Sequence, residues 1–66
     1  MKWTKRHSHY ALGDGRRTYG GLLRLSDTLR WRVFIARDYT DTYFELDQLA
    51  EAQKYVEMIV NLEGLV

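Results

Sequence analysis

Residues 30–39 read RWRVFIARDY. Three arginines share this stretch with large apolar side chains, so one set faces a core and the other faces something else. Side chains on a strand point to opposite faces in turn. Trp31, Val33 and Ile35 fall on one face, and Arg30, Arg32, Phe34 and Ala36 on the other. The first set is the core face of a strand over residues 29–38. The fold depends on what pairs with that strand and what covers each side of it.

Upstream, Ser26-Asp27-Thr28 makes a three-residue loop, with five residues as the alternative. Three residues pair Leu25 with Leu29, Leu23 with Trp31, Gly21 with Val33 and Tyr19 with Ile35. Apolar then meets apolar throughout, and register follows the apolar pattern. A two-residue loop would set Leu23 against Arg32 and mix the faces. Further upstream, Asp14-Gly15 is a strong type I′ hairpin signal. A two-residue loop there pairs Gly13 with Arg16, Tyr10 with Tyr19, His9 with Gly20 and His7 with Leu22. The first strand covers roughly residues 3–12 and the second roughly 17–25.

Downstream, DQLAEAQKYVEMIVNLEG (residues 47–64) predicts a helix capped by Asp47. Leu49, Ala52, Val56 and Ile59 make one apolar stripe, widened by Tyr55, Val60 and Leu62. Gly64 suits the left-handed position after the helix, with Leu65 as the apolar residue of a Schellman end. Phe44 and Leu46 plug the near end of the helix, and Asp38 and Asp41 lie in the connecting loop. The expectation is an α+β domain: a three-stranded antiparallel meander with one C-terminal helix packed on one face (β-β-β-α), as a single domain over residues 1–66.

Composition narrows the function classes. A 66-residue chain buries only about 60% of its unfolded surface, so its core is thin. It has no cysteine, hence no disulfide and no thiolate zinc site. No apolar run approaches the roughly 18 residues of a membrane span. The start, MKWTKRHSHY, lacks the apolar stretch of a signal peptide. A soluble, cytoplasmic chain follows. Residues 1–37 hold nine Lys/Arg against two Asp, for +7, and residues 38–66 hold one Lys against seven Asp/Glu, for −6. Such asymmetry marks an anion-binding face, or two halves that simply attract each other.

The face away from the helix carries Trp3, Lys5, His7 and His9, then Leu22 and Arg24, then Arg30, Arg32 and Phe34. Gly20 lies opposite Phe34, and Arg24 directly opposite Arg30, with Lys5 beside Arg24. Like charges in a cross-strand pair destabilise. Four cations interleaved with Trp3 and Phe34 suit nucleic acid, with cations for phosphate and rings for bases. Trp3, Lys5, His7, Arg24, Arg30, Arg32 and Phe34 are therefore the candidate binding residues. The rivals are a solvated basic face and a protein interface. The same register turns Arg6 and Ser8 toward the helix. If that fails, the first strand is flipped and Trp3 belongs to the core.

Other chemistry finds little support. His7 and His9 share a strand face, but their neighbours are wrong for a third ligand, so no metal and no cofactor is expected. Ser8 and Ser26 lack a histidine–acid constellation. GDG and GG do not match phosphate-loop spacing. No enzyme is expected. Glu51, Lys54 and Glu57 make the helix's outer face mildly acidic, and Met58 or Tyr55 could serve a homodimer contact.

Trp31, then Phe44-Glu45-Leu46-Asp47-Gln48-Leu49-Ala50-Glu51-Ala52, carries a resemblance to the arm-type DNA-binding domains of phage tyrosine integrases. The shared features are a strand tryptophan, then a phenylalanine before a capped helix with alanine on its inner face. The resemblance covers strand three and the helix, about half the chain. It implies a sheet that enters the major groove, with Arg24, Arg30 and Arg32 on DNA. The chain is also similar to small phage accessory proteins. That likeness implies a phage or mobile-element factor that inhibits or adapts a host protein, such as a defence protein, by direct contact.

Overall fold

The computed structural model describes residues 1–66. Its elements are β1 (Lys2–Lys5), β2 (His9–Gly13), β3 (Thr18–Leu25), β4 (Arg30–Ile35) and β5 (Asp38–Glu45), followed by a 3₁₀ turn over Leu46–Gln48 and α1 (Leu49–Leu62). The strands form one antiparallel sheet in the order β1-β2-β3-β4-β5, and α1 packs on one side of it. The three-stranded sheet expected from the sequence is therefore corrected to five strands.

Both extra strands arise at turns that carry no Gly, Pro, Asn or Asp. The stretch 30–39 contains a strand, a two-residue turn and the start of the next strand. Ile35 pairs with Asp38, so Ala36-Arg37 reverses the chain. Ala36 adopts φ 56°, a left-handed conformation uncommon for a residue with a Cβ. Its N–H donates to the Tyr19 carbonyl at 2.8 Å, which fixes the turn against β3. The residues after it, DYTDTYFE, are rich in Tyr, Thr and Phe and continue as a strand rather than a loop. At the other end, the expected strand 3–12 is broken by a turn at Arg6-His7-Ser8, closed by Arg6 N–H donating to the His9 carbonyl at 2.8 Å.

Two hairpin registers also differ from expectation. The β2–β3 loop spans Asp14–Arg17, and β2 is bulged between Leu12 and Gly13, so Tyr10 faces Leu22 and His9 faces Leu23. The Asp14 carboxylate explains the longer loop. It accepts the backbone N–H groups of Arg16 and Arg17 at 3.2 and 3.0 Å and the Tyr19 hydroxyl at 2.7 Å. Asp side chains commonly hold turns in this way. The β3–β4 loop spans Ser26–Leu29, with Leu29 at φ 55° and exposed rather than paired in the core. Leu23 consequently lies opposite Arg32, and Leu22 opposite Val33. The run GGLLRL offers a leucine to either face, so apolar alternation alone does not choose between these registers.

The core is Leu12, Leu22, Trp31, Val33 and Ile35 from the sheet, with Tyr19, closed by Ala52, Val56 and Val60 from α1. The three helix residues repeat at i, i+4 and i+8, one face of a 3.6-residue period. Trp31 meets Tyr10 edge-on at 5.4 Å and donates its Nε1–H to the Leu46 carbonyl at 3.3 Å. Leu62, assigned to the apolar stripe by sequence, is 75% exposed.

The helix begins differently from expectation. Asp47 lies inside the 3₁₀ turn, and Gln48 Oε1 accepts the Glu45 N–H at 2.9 Å instead. The far end is a Schellman motif: Leu65 N–H donates to Val60 and Gly64 N–H to Asn61, with Gly64 at φ 67°. Gly64→Ala forces a Cβ into that left-handed position. It should destabilise the domain by about 1 kcal/mol, read as a lower urea midpoint with an unchanged m-value.

Candidate nucleic-acid interface

The sheet's two faces differ because α1 covers one of them and no element covers the other. Cross-strand registers place His9, Leu23, Arg32 and Tyr43 in one row of the uncovered face. Ala11, Gly21, Phe34 and Tyr39 make the next row. The Phe34 ring lies across Gly21, where a Cβ would strike it. The bare glycine under Phe34 is thus Gly21, not Gly20. Phe34 meets His9 edge-on at 6.3 Å and Tyr39 at 5.9 Å. Tyr39 is 56% and Tyr43 40% exposed.

Of the candidate binding residues, Arg30, Arg32 and Phe34 share this uncovered face. Trp3, Lys5 and Arg24 do not. Trp3 pairs with Leu12, packs on the core, and donates its Nε1–H to Glu57 Oε2 on the helix at 2.7 Å. Lys5 pairs with Tyr10 and Arg24 with Trp31, so both stand on the helix side of the sheet. His7 sits in the β1–β2 turn, apart from the face that holds His9. The cause is physical: β3 is shifted by one residue, which flips every side chain on it, and β1 is a separate strand.

The arginines of β4 are already engaged by β5. Arg30 Nε lies 3.5 Å from Glu45 Oε1. Arg32 Nη2 lies 3.7 Å from Asp41 Oδ1, and its Nε donates to the Thr40 carbonyl at 2.8 Å. The Arg32 guanidinium also sits over the rings of Tyr39 and Tyr43, at 5.3 and 5.7 Å from their centroids. β5, expected from the sequence to be a loop, therefore offsets part of the charge of Arg30 and Arg32.

The free positive charge lies elsewhere. The other seven Lys/Arg of residues 1–37 make no ion pair. They line three adjoining hollows that share residues. Arg37 meets Arg16 and Arg17 beside Thr18 and Ala36. Arg16 and Arg17 meet Lys2 and Arg6 over Thr4, Ala11 and Gly13. Arg6 then meets Lys5 and Arg24 at the β1–β2 turn. No carboxylate lines any of the three. The result is a cationic track from the β4–β5 turn, past the β2–β3 loop, along β1. Arg16-Arg17 beside Asp14-Gly15 was its legible sign in the sequence, once the loop is four residues long rather than two.

The Asp14–Tyr19 contact braces the middle of this track. The Tyr19 hydroxyl and the Arg17 and Arg16 amides lower the Asp14 carboxyl below its ordinary 3.8. The bond to Asp14 raises the Tyr19 phenol above its ordinary 10.0. A depressed acid stabilises above its unfolded value and loses that contribution as pH falls through its folded one. A raised phenol stabilises below 10.0 and loses it as pH rises through its folded value. Asp14→Asn should remove the acid part of this dependence, seen as a flatter Tm-versus-pH curve below about pH 4 than that of the native chain.

Comparison with known protein families, curated proteins and solved structures gives no match to this chain. No helix is long and apolar enough to cross a membrane.

Proposed function

We propose that this chain is a non-enzymatic, cytoplasmic binding module for single-stranded nucleic acid. The backbone follows the cationic track, and bases stack over the uncovered sheet face. The observation that carries this reading is the track itself: seven cations without an ion pair, in three linked hollows that no carboxylate lines. Lys2, Arg6, Arg16 and Arg17 hold phosphates at its centre. Phe34, Tyr39 and Tyr43 supply rings beside it, since base–aromatic stacking tolerates any sequence.

Size argues for a single strand over a duplex groove. Five strands at about 4.8 Å spacing make a sheet about 19 Å wide, against a major groove about 12 Å wide. The integrase-like docking suggested by the sequence needs the narrower sheet. A second reading, contact with a host protein as in phage accessory factors, is favoured by one feature. Arg32 clamped between Tyr39 and Tyr43 is the kind of residue set that anchors protein interfaces.

Salt separates the two. If all seven cations meet phosphates, log K should fall with log salt at a slope of about −5 for a single strand. Fluorescence anisotropy of labelled single-stranded RNA, single-stranded DNA and duplex should then show affinity for one of the single strands dropping about 10³-fold between roughly 50 and 200 mM salt. No binding at the lower salt removes nucleic acid and leaves the protein-contact reading.

A further inference from the structure

The end of the track at the β1–β2 turn differs from the rest. Lys5, Arg6 and Arg24 converge there on one hollow, together with His7, while the His9 ring turns to the uncovered face against Phe34. Tyr10 and Trp31 form its wall, locked edge-on at 5.4 Å. The turn itself is pinned on both sides: Arg6 N–H donates to the His9 carbonyl, and Arg24 N–H to the Ser8 carbonyl at 3.0 Å. Lys5 and Arg24 are carried by strands rather than by the loop, so their backbone positions are set by the sheet.

Charge stoichiometry is the point. A phosphodiester inside a strand carries one negative charge and needs one cation. A phosphomonoester carries about −1.5 to −2 near pH 7 and offers three acceptor oxygens. Three permanent cations and the His7 imidazole around one hollow, with no carboxylate, exceed what a diester neutralises and match a monoester. The hollow, about 200 Å³ and open to solvent, accepts a phosphate group but not a whole nucleotide held in an enclosed pocket.

We infer that this hollow binds a dianionic phosphomonoester, namely the terminal phosphate of the bound strand. The inference rests on the nucleic-acid reading, since the track delivers the strand's end to the turn. Lys5 and Arg24 grip the phosphate from adjacent parts of the sheet, and Arg6 links it to the diester that follows. The module therefore prefers strand ends over internal segments.

The test uses three labelled oligonucleotides of about eight nucleotides: 5′-phosphorylated, 3′-phosphorylated, and hydroxyl at both ends. Binding is measured for the native chain, for Lys5→Ala/Arg24→Ala and for Arg16→Ala/Arg17→Ala. One phosphorylated end should bind at least about 10-fold tighter than the hydroxyl form, the effect of one added charge-assisted pair. Lys5→Ala/Arg24→Ala should erase that ratio, whereas Arg16→Ala/Arg17→Ala should weaken all three alike and preserve it. Inorganic phosphate, titrated against the backbone amide NMR signals of the native chain, distinguishes the source. Shifts at residues 5–10 and 24 without oligonucleotide binding keep the phosphate site and overturn the nucleic-acid reading. Equal affinities with such shifts assign the hollow to a free phosphomonoester and overturn the strand-end preference. Equal affinities and no response to phosphate overturn the site.

Discussion

Replacing Lys2, Arg6, Arg16 and Arg17 together with alanine should cost roughly 200-fold in affinity for single-stranded nucleic acid at about 0.15 M salt, with the fold intact. Each phosphate contact to a single strand releases about 0.7 of a counterion, worth near 0.6 log units at that salt. Four lost contacts then remove about 2.3 log units, and the salt slope falls from about −5 to about −2. Stability should stay within about 0.5 kcal/mol per site, because all four side chains are exposed and unpaired. The parallel change Arg30→Ala/Arg32→Ala should do much less to binding, since β5 already holds both guanidiniums. Anisotropy titrations at three salt concentrations measure both variants. If Arg30→Ala/Arg32→Ala abolishes binding and the quadruple variant does not, the strand runs over β4 and the track is a solvated surface.

Trp31→Ala should largely unfold the protein. Removing a buried tryptophan costs about 3–5 kcal/mol, the lost transfer energy plus the cavity left behind. A 66-residue domain has a total stability of only roughly 3–10 kcal/mol. Trp31 is 8% exposed, and it holds two junctions at once: its ring against Tyr10 on β2 and its Nε1–H on the carbonyl that opens the helical segment. The alanine variant also leaves the Leu46 carbonyl without that donor. A thermal melt followed by circular dichroism should move down by more than about 12 °C, or show no cooperative transition. A melt within a few degrees of the native one would remove Trp31 from the core.

The core side of β4 was legible from alternation alone. Trp31, Val33 and Ile35 are buried as the pattern required, and so are Ala52 and Val56 on the helix. The Gly64–Leu65 end was equally readable, because a left-handed position after a helix has few other solutions. The missing strands share one cause. Their turns use Ala36 at positive φ and the polar run Arg6-His7-Ser8, neither of which carries a Gly or Asn-Gly signal. The Asp14-Gly15 turn was recognised, but its length is set by what the Asp14 carboxylate accepts from three partners. A sequence does not display that hydrogen-bond set. Each of these local differences moves register by an odd number of residues or splits a strand. That is why Arg32 and Phe34 stayed on the assigned face while Lys5, Trp3 and Arg24 left it.

Every strand here pairs with the strand that precedes it in the chain, through connections of two to four residues. Closing such short loops costs little entropy, and native contacts between near neighbours go with fast folding. Helix docking is the exception. Val56 and Val60 must find Leu12 and Leu22, some forty residues away. The sheet can therefore zip hairpin by hairpin at little entropic cost, yet one side of it remains bare of cover until α1 arrives. Helix docking is thus the expected slow step in forming this domain, to be checked by stopped-flow refolding of helix and turn variants. Hairpins formed before that step are native-like in its transition state, so changes in their turns should slow folding, whereas contacts of Ala52, Val56 and Val60 that complete after it should act on the rate of unfolding.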